Sequence, residues 1–208
     1  MTNNRNLEPM LLIQELTDAC ELSGVKAWLL GGWGIEALCG TIRRTHYDID
    51  LLVSASDRKL YRQLVALIGA AIHEDAPQKL RFIKNGIQVD TRFFYALPDG
   101  RLVSDLDADD PMVYPWPRDS FPEQFNGELN GNPIRAISWS AQFVAKAGYS
   151  AFKKDVSLRE KDKSDLEFIR KHLSVSAIEE LENCFPGIPK DMKTTQQAHA
   201  ADAEEPRR

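Results

Sequence analysis

Two aspartates separated by one residue carry the clearest chemical signal in this 208-residue sequence. Asp48 and Asp50 open an apolar run that continues to Val53, and in a strand Ile49, Leu51 and Val53 are expected on one face and Asp48, Asp50 and Leu52 on the other. Alternate side chains of a β-strand leave the same face, about 7 Å apart at Cα, so both carboxylates can reach one Mg²⁺ or share a pair of ions. Magnesium is usually held by one or two carboxylates together with substrate phosphates. The pair therefore predicts metal-assisted phosphoryl chemistry, unless it is simply a strand end with solvated acids.

A third acid, Asp90, lies in a second apolar segment, IQVDTRFF. The dipeptide Asn85-Gly86 precedes this segment and predicts a hairpin between strands at 80–84 and 87–95. A lone carboxylate is costly to bury in so apolar a strand. Asp90 thus indicates a metal ligand or a group that accepts a reacting proton, or else an acid bonded to a local backbone turn.

Two adjacent glycines, Gly31 and Gly32, separate an apolar segment from a helix-compatible stretch at 33–38. The N-terminus of a helix favours anions, and the missing side chains let a phosphate approach the backbone. A glycine pair by itself often marks only a tight turn. The order of glycine pair, acid pair and third strand acid is much rarer than its parts, and it favours a phosphate-binding site.

The elements that must position these residues follow from periodicity and caps. We expect helices at 9–23, 57–68, 139–152, 162–173 and 177–184, with strands at 25–30, 48–53, 80–84, 87–95 and 133–137. Gly24 and Gly40 suit helix ends, and Asp57 and Ser138 suit N-caps. Residues 98–122 are rich in Pro and Asp and predict a long loop with at most one short strand.

Composition narrows the class of protein. The net charge of −5 argues against general affinity for nucleic acid, which needs a basic face. Cys20, Cys39 and Cys184 lack metal-type spacing and are expected to be reduced thiols. We find neither an apolar run of the roughly 18 residues that a membrane span needs nor the apolar core of a secretory signal. A cytoplasmic protein without membrane partners is expected.

The stretch GGWGIEALCGTIRRTHYDIDLLV resembles the core motif of the nucleotidyltransferase superfamily that includes DNA polymerase β. Its Gly-Gly-Trp-Gly form and the His before the acid pair are similar to the small antibiotic-modifying branch, the aminoglycoside and lincosamide nucleotidyltransferases. The similarity continues in IQVDTRFFYALPDGRL, FNGELNGNPIRAISWSAQFVAKAGY and REKDKSDLEFI. It covers about residues 10–173 and is most specific in its first block.

The resemblance implies an α/β (α+β) nucleotidyltransferase fold, with a mixed, mostly antiparallel sheet flanked by helices. The expected organisation is a catalytic domain at 1–137, a small helical region at 138–189 and a tail at 190–208. The tail has almost no apolar content and is predicted to be disordered.

The resemblance also assigns roles. Asp48 and Asp50 become Mg²⁺ ligands, Asp90 a third ligand and the general base for the acceptor hydroxyl, and Gly31, Gly32 and Lys161 contacts of the nucleotide phosphates. The serine that commonly follows the first glycine in the superfamily is Gly32 here, so a hydroxyl contact to phosphate is absent. Arg44 or its neighbour Arg43 can supply phosphate charge instead, although a basic turn is often only solvated. For His46 we expect a hydrogen-bonding role near the strand rather than a ligand role.

The implied reaction moves a nucleoside monophosphate from an NTP, with ATP as the expected donor, to a hydroxyl of a small antibiotic. An aminoglycoside acceptor is favoured, because acidic residues could attract a polycation; these are Asp105, Asp107, Asp109, Asp110, Glu123 and Glu128. A lincosamide is the alternative, since aromatic residues could wall a flatter pocket or belong to the core; these are Phe93, Phe94, Tyr95, Tyr114 and Trp116. A protein or RNA acceptor, as in toxin–antitoxin systems, is a further alternative. The chain would act as a monomer or homodimer.

Overall fold

Alternating apolar side chains form a seven-stranded sheet in the computed structural model, which describes residues 4–105, 113–152 and 158–185. The helices are α1 (Leu7–Ser23), α2 (Gly31–Cys39), α3 (Arg58–Leu67), α4 (Trp139–Phe152), α5 (Glu160–Arg170) and α6 (Val175–Cys184). The strands are β1 (Ala27–Leu30), β2 (Asp48–Ser54), β3 (Ala71–Ala76), β4 (Lys79–Lys84), β5 (Ile87–Ala96), β6 (Leu102–Asp105), β7 (Val113–Pro115), β8 (Gly127–Leu129) and β9 (Asn132–Ile134).

The main sheet has the strand order β1-β2-β5-β4-β3, with β6 paired to β5 and β7 paired to β6. Strands β2 and β5 are parallel, and the other pairings of this sheet within the described residues are antiparallel. The expected α+β class and the mixed, mostly antiparallel sheet are therefore confirmed. The parallel register sets Asp50 directly beside Asp90 and Asp48 beside Gln88.

The two faces of β2 serve different purposes. Ile49, Leu51 and Val53 point into the largest apolar cluster, which also holds residues of α1 and α3. Leu52, on the other face, packs with Trp28 and Phe94. Because side chains alternate along a strand, Asp48 and Asp50 share that second face, at the end of β2 that precedes Leu52. The predicted alternation is confirmed, and it leaves the two acids outside the main core.

The C-terminal helices share a third apolar cluster with α2. Phe143 and Val144 of α4 and Leu166 and Ile169 of α5 pack with Ile35, which belongs to α2. Helix α2 is thus packed both against the sheet and against the helical region. The division of the chain at residue 137 stays a prediction, since α2 contributes to both sides of it.

Some predicted elements were wrong in extent or number. Strand β3 was not predicted, because its side chains alternate only between exposed and half-buried positions and lack an apolar face. Residues 98–122 hold two strands, β6 and β7, rather than at most one. Asp57 forms no side-chain cap; Ser54 accepts from the Ser56 amide one turn earlier. Strand β9 ends at Ile134, short of the predicted residue 137.

Three further expectations concern a membrane span, the cysteines and the C-terminal tail. Across the residues that the structure describes, no helix is long and apolar enough to cross a membrane. The three cysteines are free thiols, as expected, with Cys20 buried and Cys184 exposed. The tail at 190–208 lies outside the described residues.

Candidate active site

One pocket at the start of α2 brings together carboxylates and cations. Its lining consists of Leu30, Gly32, Trp33, Arg44, His46, Asp48, Asp50, Lys146, Arg159 and Lys161. The acids come from β2, and the cations come from the turn before β2 and from the C-terminal helical region. Gly32, Arg44 and Lys161, which were predicted to bind phosphate, therefore lie around the same pocket as the acid pair.

The two glycines allow side chains to pack closely against the first turn of α2. Gly31 has φ of 68°, and a Cβ there would lie 3.1 Å from Oδ2 of Asp50. A Cβ at Gly32 would overlap the imidazole of His46 and lie 2.8 Å from Nη2 of Arg44. The structure thus explains both glycines by close packing of residues of the pocket. Their contact with a triphosphate stays a prediction.

A third glycine, Gly34, fixes the distance between α2 and the sheet. A Cβ at this position would lie 2.6 Å from the carbonyl oxygen of Leu29 and overlap the side-chain amide of Gln142. The Leu29 carbonyl cannot retreat easily, because it accepts a hydrogen bond from the Ile137 amide at 3.0 Å. Substitution must therefore displace α2 from β1.

We expect Gly34→Ala to lower the free energy of unfolding by about 1–3 kcal/mol, the usual cost of overpacking. Gly69→Ala is the control: Gly69 has φ of 76°, and a Cβ added there would have no atom within 4 Å, so it meets only the backbone cost of about 1–2 kcal/mol. Urea denaturation measures the free energy of unfolding of both variants. Nucleotide binding distinguishes them, because only Gly34→Ala is expected to change the pocket. If Gly34→Ala leaves nucleotide binding as intact as Gly69→Ala does, the packing of α2 does not shape the pocket.

Gln142 ties α4 to the junction between β1 and α2. Its Oε1 accepts a hydrogen bond from the Gly31 amide at 3.0 Å, and the residue is fully buried. Its Nε2 has no hydrogen-bond partner among the described residues. Helical periodicity indicated only a packing role for α4, and Gln142 was missed as the residue that holds the peptide of Gly31 beside Asp50.

Ionisation of Asp50 carries an electrostatic penalty. Burial raises the pKa of Asp50 to about 7, and repulsion from Asp48 and Asp90 adds to this, while Lys146 and Lys161 act in the opposite direction. A carboxyl group of raised pKa among like charges gains from a nearby cation, because the cation favours the ionised form. This is the charge pattern expected of carboxylates that bind a divalent metal ion.

Asp90 shares the sheet face of Asp50 but is bonded toward β4. Its Oδ1 accepts from Nε of Arg81 and its Oδ2 from Nε2 of Gln88, both at 2.7 Å, and Nζ of Lys79 lies 3.4 Å from Oδ1. Burial opposes ionisation of Asp90, but these bonds and charges outweigh it and lower the pKa. Within residues 4–105, 113–152 and 158–185, no group of three or more His, Cys, Asp or Glu side chains could hold a metal ion. The ligand and base roles of Asp90 stay predictions.

His46, which lines the pocket, forms a buried polar pair with Glu36 of α2. Its Nε2 lies 3.0 Å from Oε1 of Glu36, which is fully buried. The other oxygen of Glu36 accepts from the Arg43 amide at 2.7 Å, and the imidazole lies 4.7 Å from the Trp33 ring. These contacts agree with the hydrogen-bonding role expected of His46. Glu36, inside the apolar stretch of α2, was missed.

Three of the four cationic residues of the pocket are bonded to two buried aspartates that were not predicted as site residues. Asp165 accepts from Nη2 of Arg43 at 3.2 Å and from Nη2 of Arg44 at 3.0 Å, and its Oδ2 lies 3.0 Å from Nζ of Lys146. Asp162 accepts from Lys146 at 2.7 Å and from Nε of Arg159 at 2.6 Å. A signal was available, because both acids fall on the face of α5 that carries Leu166 and Ile169.

The residues considered for the acceptor divide between the core and the surface. Phe93 and Phe94 are buried in apolar clusters, and Phe94 stacks on Phe121 at 3.8 Å between ring centroids, so the core interpretation holds for them. Glu123 forms an ion pair with Lys26 at the surface. Asp107, Asp109 and Asp110 lie outside the described residues.

Solved structures share this fold. The crystal structure of ANT(2'')-Ia in complex with adenylyl-2''-tobramycin superposes with a TM-score of 0.71 at 22% identity, covering 86% of this chain and 97% of that one. The lincomycin-bound crystal structure of the lincosamide antibiotic adenylyltransferase LnuA gives a TM-score of 0.59 at 24% identity, covering 82% of this chain and 98% of that one. These similarities confirm the nucleotidyltransferase fold.

Sequence comparison identifies the family. A 2''-aminoglycoside nucleotidyltransferase of Klebsiella pneumoniae is 28% identical over 133 residues, which cover 62% of this chain and 68% of that protein. A protein of the same description from Escherichia coli matches equally. Residues 12–168 match the family described as aminoglycoside-2''-adenylyltransferase. This match covers most of the chain, and the chain belongs to that family of antibiotic-modifying nucleotidyltransferases.

Proposed function

We propose that the protein transfers a nucleoside monophosphate from an NTP, with ATP as the expected donor, to a hydroxyl group of an aminoglycoside and releases pyrophosphate. The observation that carries this proposal is the pocket in which Asp48 and Asp50 face Arg44, Lys146 and Lys161. A triphosphate needs cations, and the metal ion that accompanies it needs carboxylates. Both requirements are met by one pocket, at the N-terminus of α2.

Magnesium fits the residues present. Asp48 and Asp50 offer hard oxygen ligands on one sheet face, and burial, with added repulsion from Asp48 and Asp90, raises the pKa of Asp50 so that its ionised form gains from a bound cation. Mg²⁺ bound there would supply electrophilic activation of the α-phosphate and neutralise the leaving pyrophosphate. We propose Asp48 and Asp50 as its ligands. Asp90, which pairs with Asp50 across β2 and β5, would become a third ligand after its side chain moves.

The remaining chemistry belongs to side chains of the protein. Arg44, Lys146 and Lys161 would bind the phosphates and stabilise the charge that develops on pyrophosphate. Asp90 would accept the proton of the acceptor hydroxyl as general base. For that step Asp90 must exchange its bond from Arg81 for a contact with the acceptor, and an ammonium group of an aminoglycoside could take the place of the guanidinium.

A lincosamide is the second candidate acceptor. Arg81 and Lys79 place two cations next to Asp90 in the structure, and this arrangement disfavours a polycation unless both side chains move. The structural similarity to LnuA extends over most of this chain. A protein or RNA acceptor receives less support, since the net charge is −5. We propose a cytoplasmic location, because the reaction needs ATP as a co-substrate.

Pyrophosphate release tests the proposal. We expect release from ATP with Mg²⁺ only when an aminoglycoside is present, and we expect EDTA to abolish it, because the carboxylates would then lack their metal ion. The measurement compares each NTP with and without a panel of aminoglycosides and lincosamides. Release with lincosamides alone would establish the second acceptor class. Release that needs no small molecule would contradict the proposal and favour a macromolecular acceptor.

A further inference from the structure

Two buried aspartates of α5 organise the cations of the pocket. Asp162 and Asp165 are both nearly inaccessible to solvent, and each accepts bonds from more than one cation. Between them they bind Arg44, Lys146 and Arg159, which are three of the four cationic residues lining the pocket. The fourth, Lys161, is exposed on the same helix.

The two aspartates connect cations from three separate segments of the chain. Arg44 precedes β2, Lys146 lies on α4 and Arg159 precedes α5, so the three cations come from separate parts of the chain. Lys146 lies between the two acids, 2.7 Å from Oδ1 of Asp162 and 3.0 Å from Oδ2 of Asp165. Bonds to several partners fix a flexible side chain more firmly than one bond does, because each removes rotational freedom.

The charge state of Asp162 and Asp165 also favours a fixed arrangement of the cationic side chains. Burial opposes ionisation of Asp162 and Asp165, but their bonds to Arg159, Lys146 and Arg44 lower the pKa of both carboxyl groups. Buried carboxylates that stay ionised keep their cationic partners charged and in place.

We infer that Asp165, assisted by Asp162, is a positioning residue that aligns Arg44 and Lys146 for the developing charge of the leaving pyrophosphate. This inference rests on the proposed function. It assigns to α5 a part in the chemical step, although neither acid is expected to touch the substrate. Preorganised charge is worth more in the transition state than charge that must reorient during the reaction.

Asp165→Asn is expected to have opposite effects on NTP binding and on the reaction of bound NTP. Measurements of Kd and kcat distinguish the two effects. Loss of one negative charge behind the cations favours NTP binding, whereas loss of alignment slows the reaction of bound NTP. We therefore expect kcat at saturating NTP to fall at least tenfold. The Kd for a non-hydrolysable ATP analogue should change less than kcat does, or decrease.

Glu182→Gln is the matched control. Glu182 is a buried acid that binds Arg170 at 2.9 Å within the same helical region, and neither residue lines the pocket. Its loss should lower the Tm as a buried ion pair does while kcat stays within twofold of wild type. This control separates a general loss of packing from a loss of alignment.

The experiment measures Tm, analogue binding and kcat for wild type, Asp165→Asn, Asp162→Asn and Glu182→Gln. Asp162→Asn gives a second, independent test, because Asp162 contacts Lys146 and Arg159 but not Arg44. A kcat within twofold of wild type in either aspartate variant that folds would overturn the inference while wild-type turnover upholds the proposed function. Absence of acceptor-dependent turnover in wild type would instead contradict the proposed function itself.

Discussion

Replacement of Asp50 by asparagine is expected to lower turnover by about 10³-fold or more and, without metal, to raise the Tm at pH 8. The activity loss follows because an amide is a poor substitute for an anionic Mg²⁺ ligand, and metal ions supply several kcal/mol of charge stabilisation. The gain in stability follows because partial burial of Asp50 disfavours its ionised form and repulsion from Asp48 and Asp90 adds to this cost. The same substitution would thus stabilise the folded protein and abolish its activity.

The gain in stability of Asp50→Asn over wild type is expected to depend on pH. The folded protein holds the Asp50 proton more tightly, with a pKa of about 7 against an ordinary value of 3.8. The contribution of Asp50 to stability is therefore present below about pH 4 and is lost as the pH rises to about 7. The Tm difference between Asp50→Asn and wild type should grow over that window and level off above it.

Thermal melts in EDTA between pH 4 and pH 8, with pyrophosphate release in Mg²⁺, test both parts. Asp99→Asn is the control, because Asp99 is exposed and its pKa is lowered by bonds from the amide and side chain of Arg101. That variant should be active and should not gain stability at pH 8. Wild-type activity in Asp50→Asn would remove the metal-ligand assignment, and a lower Tm at pH 8 would contradict the proposed repulsion.

Replacement of Asp90 by asparagine is expected to lower kcat by about 10²–10⁴, the usual contribution of a general base. Binding of a non-hydrolysable ATP analogue should be little changed, because Asp90 lies beside the pocket and is bonded toward β4. Asparagine keeps the shape of the side chain and can still accept a hydrogen bond from Arg81, so the fold should persist. Single-turnover kinetics and analogue titration together separate the chemical step from binding.

Glu74→Gln provides the matched control for this experiment. Glu74 lies next to Arg81 in the register of β3 and β4, and its Oε2 is 3.2 Å from Nζ of Lys79 and 3.5 Å from Nη1 of Arg81. It therefore removes an acid from the same two cations without removing the proposed base. If both variants lose turnover equally, the effect belongs to the charge balance around Arg81, and Asp90 is not the base.

The local sequence determined much of this architecture. The alternation of Ile49, Leu51 and Val53 with the two acids predicted which face of β2 enters the main core, because a strand must alternate its side chains. Asn85-Gly86 predicted the hairpin, and both residues have positive φ, as a tight two-residue turn requires. Helix α4 has the predicted bounds. These features depend on neighbours in the chain and therefore can be recognised without the fold.

Other features depend on partners that are distant in sequence. The edge strand β3 carries no continuous apolar face, and only its pairing with β4 makes it a strand. Gly34 needs its hydrogen side chain because Leu29 and Gln142 approach it, and Gln142 is distant in sequence. No periodicity reports such contacts.

The acid pair, the glycine pair and Asp90 were thus identifiable from residue type, spacing and resemblance, and so was the family. Only the tertiary structure decided that Asp90 is bonded to Arg81, that His46 rests on Glu36, and that Asp165 gathers Arg44 and Lys146. The physical reason is that sequence spacing fixes which face of an element a side chain leaves. Its partner and its charge environment are fixed by the packing of elements far apart in the chain.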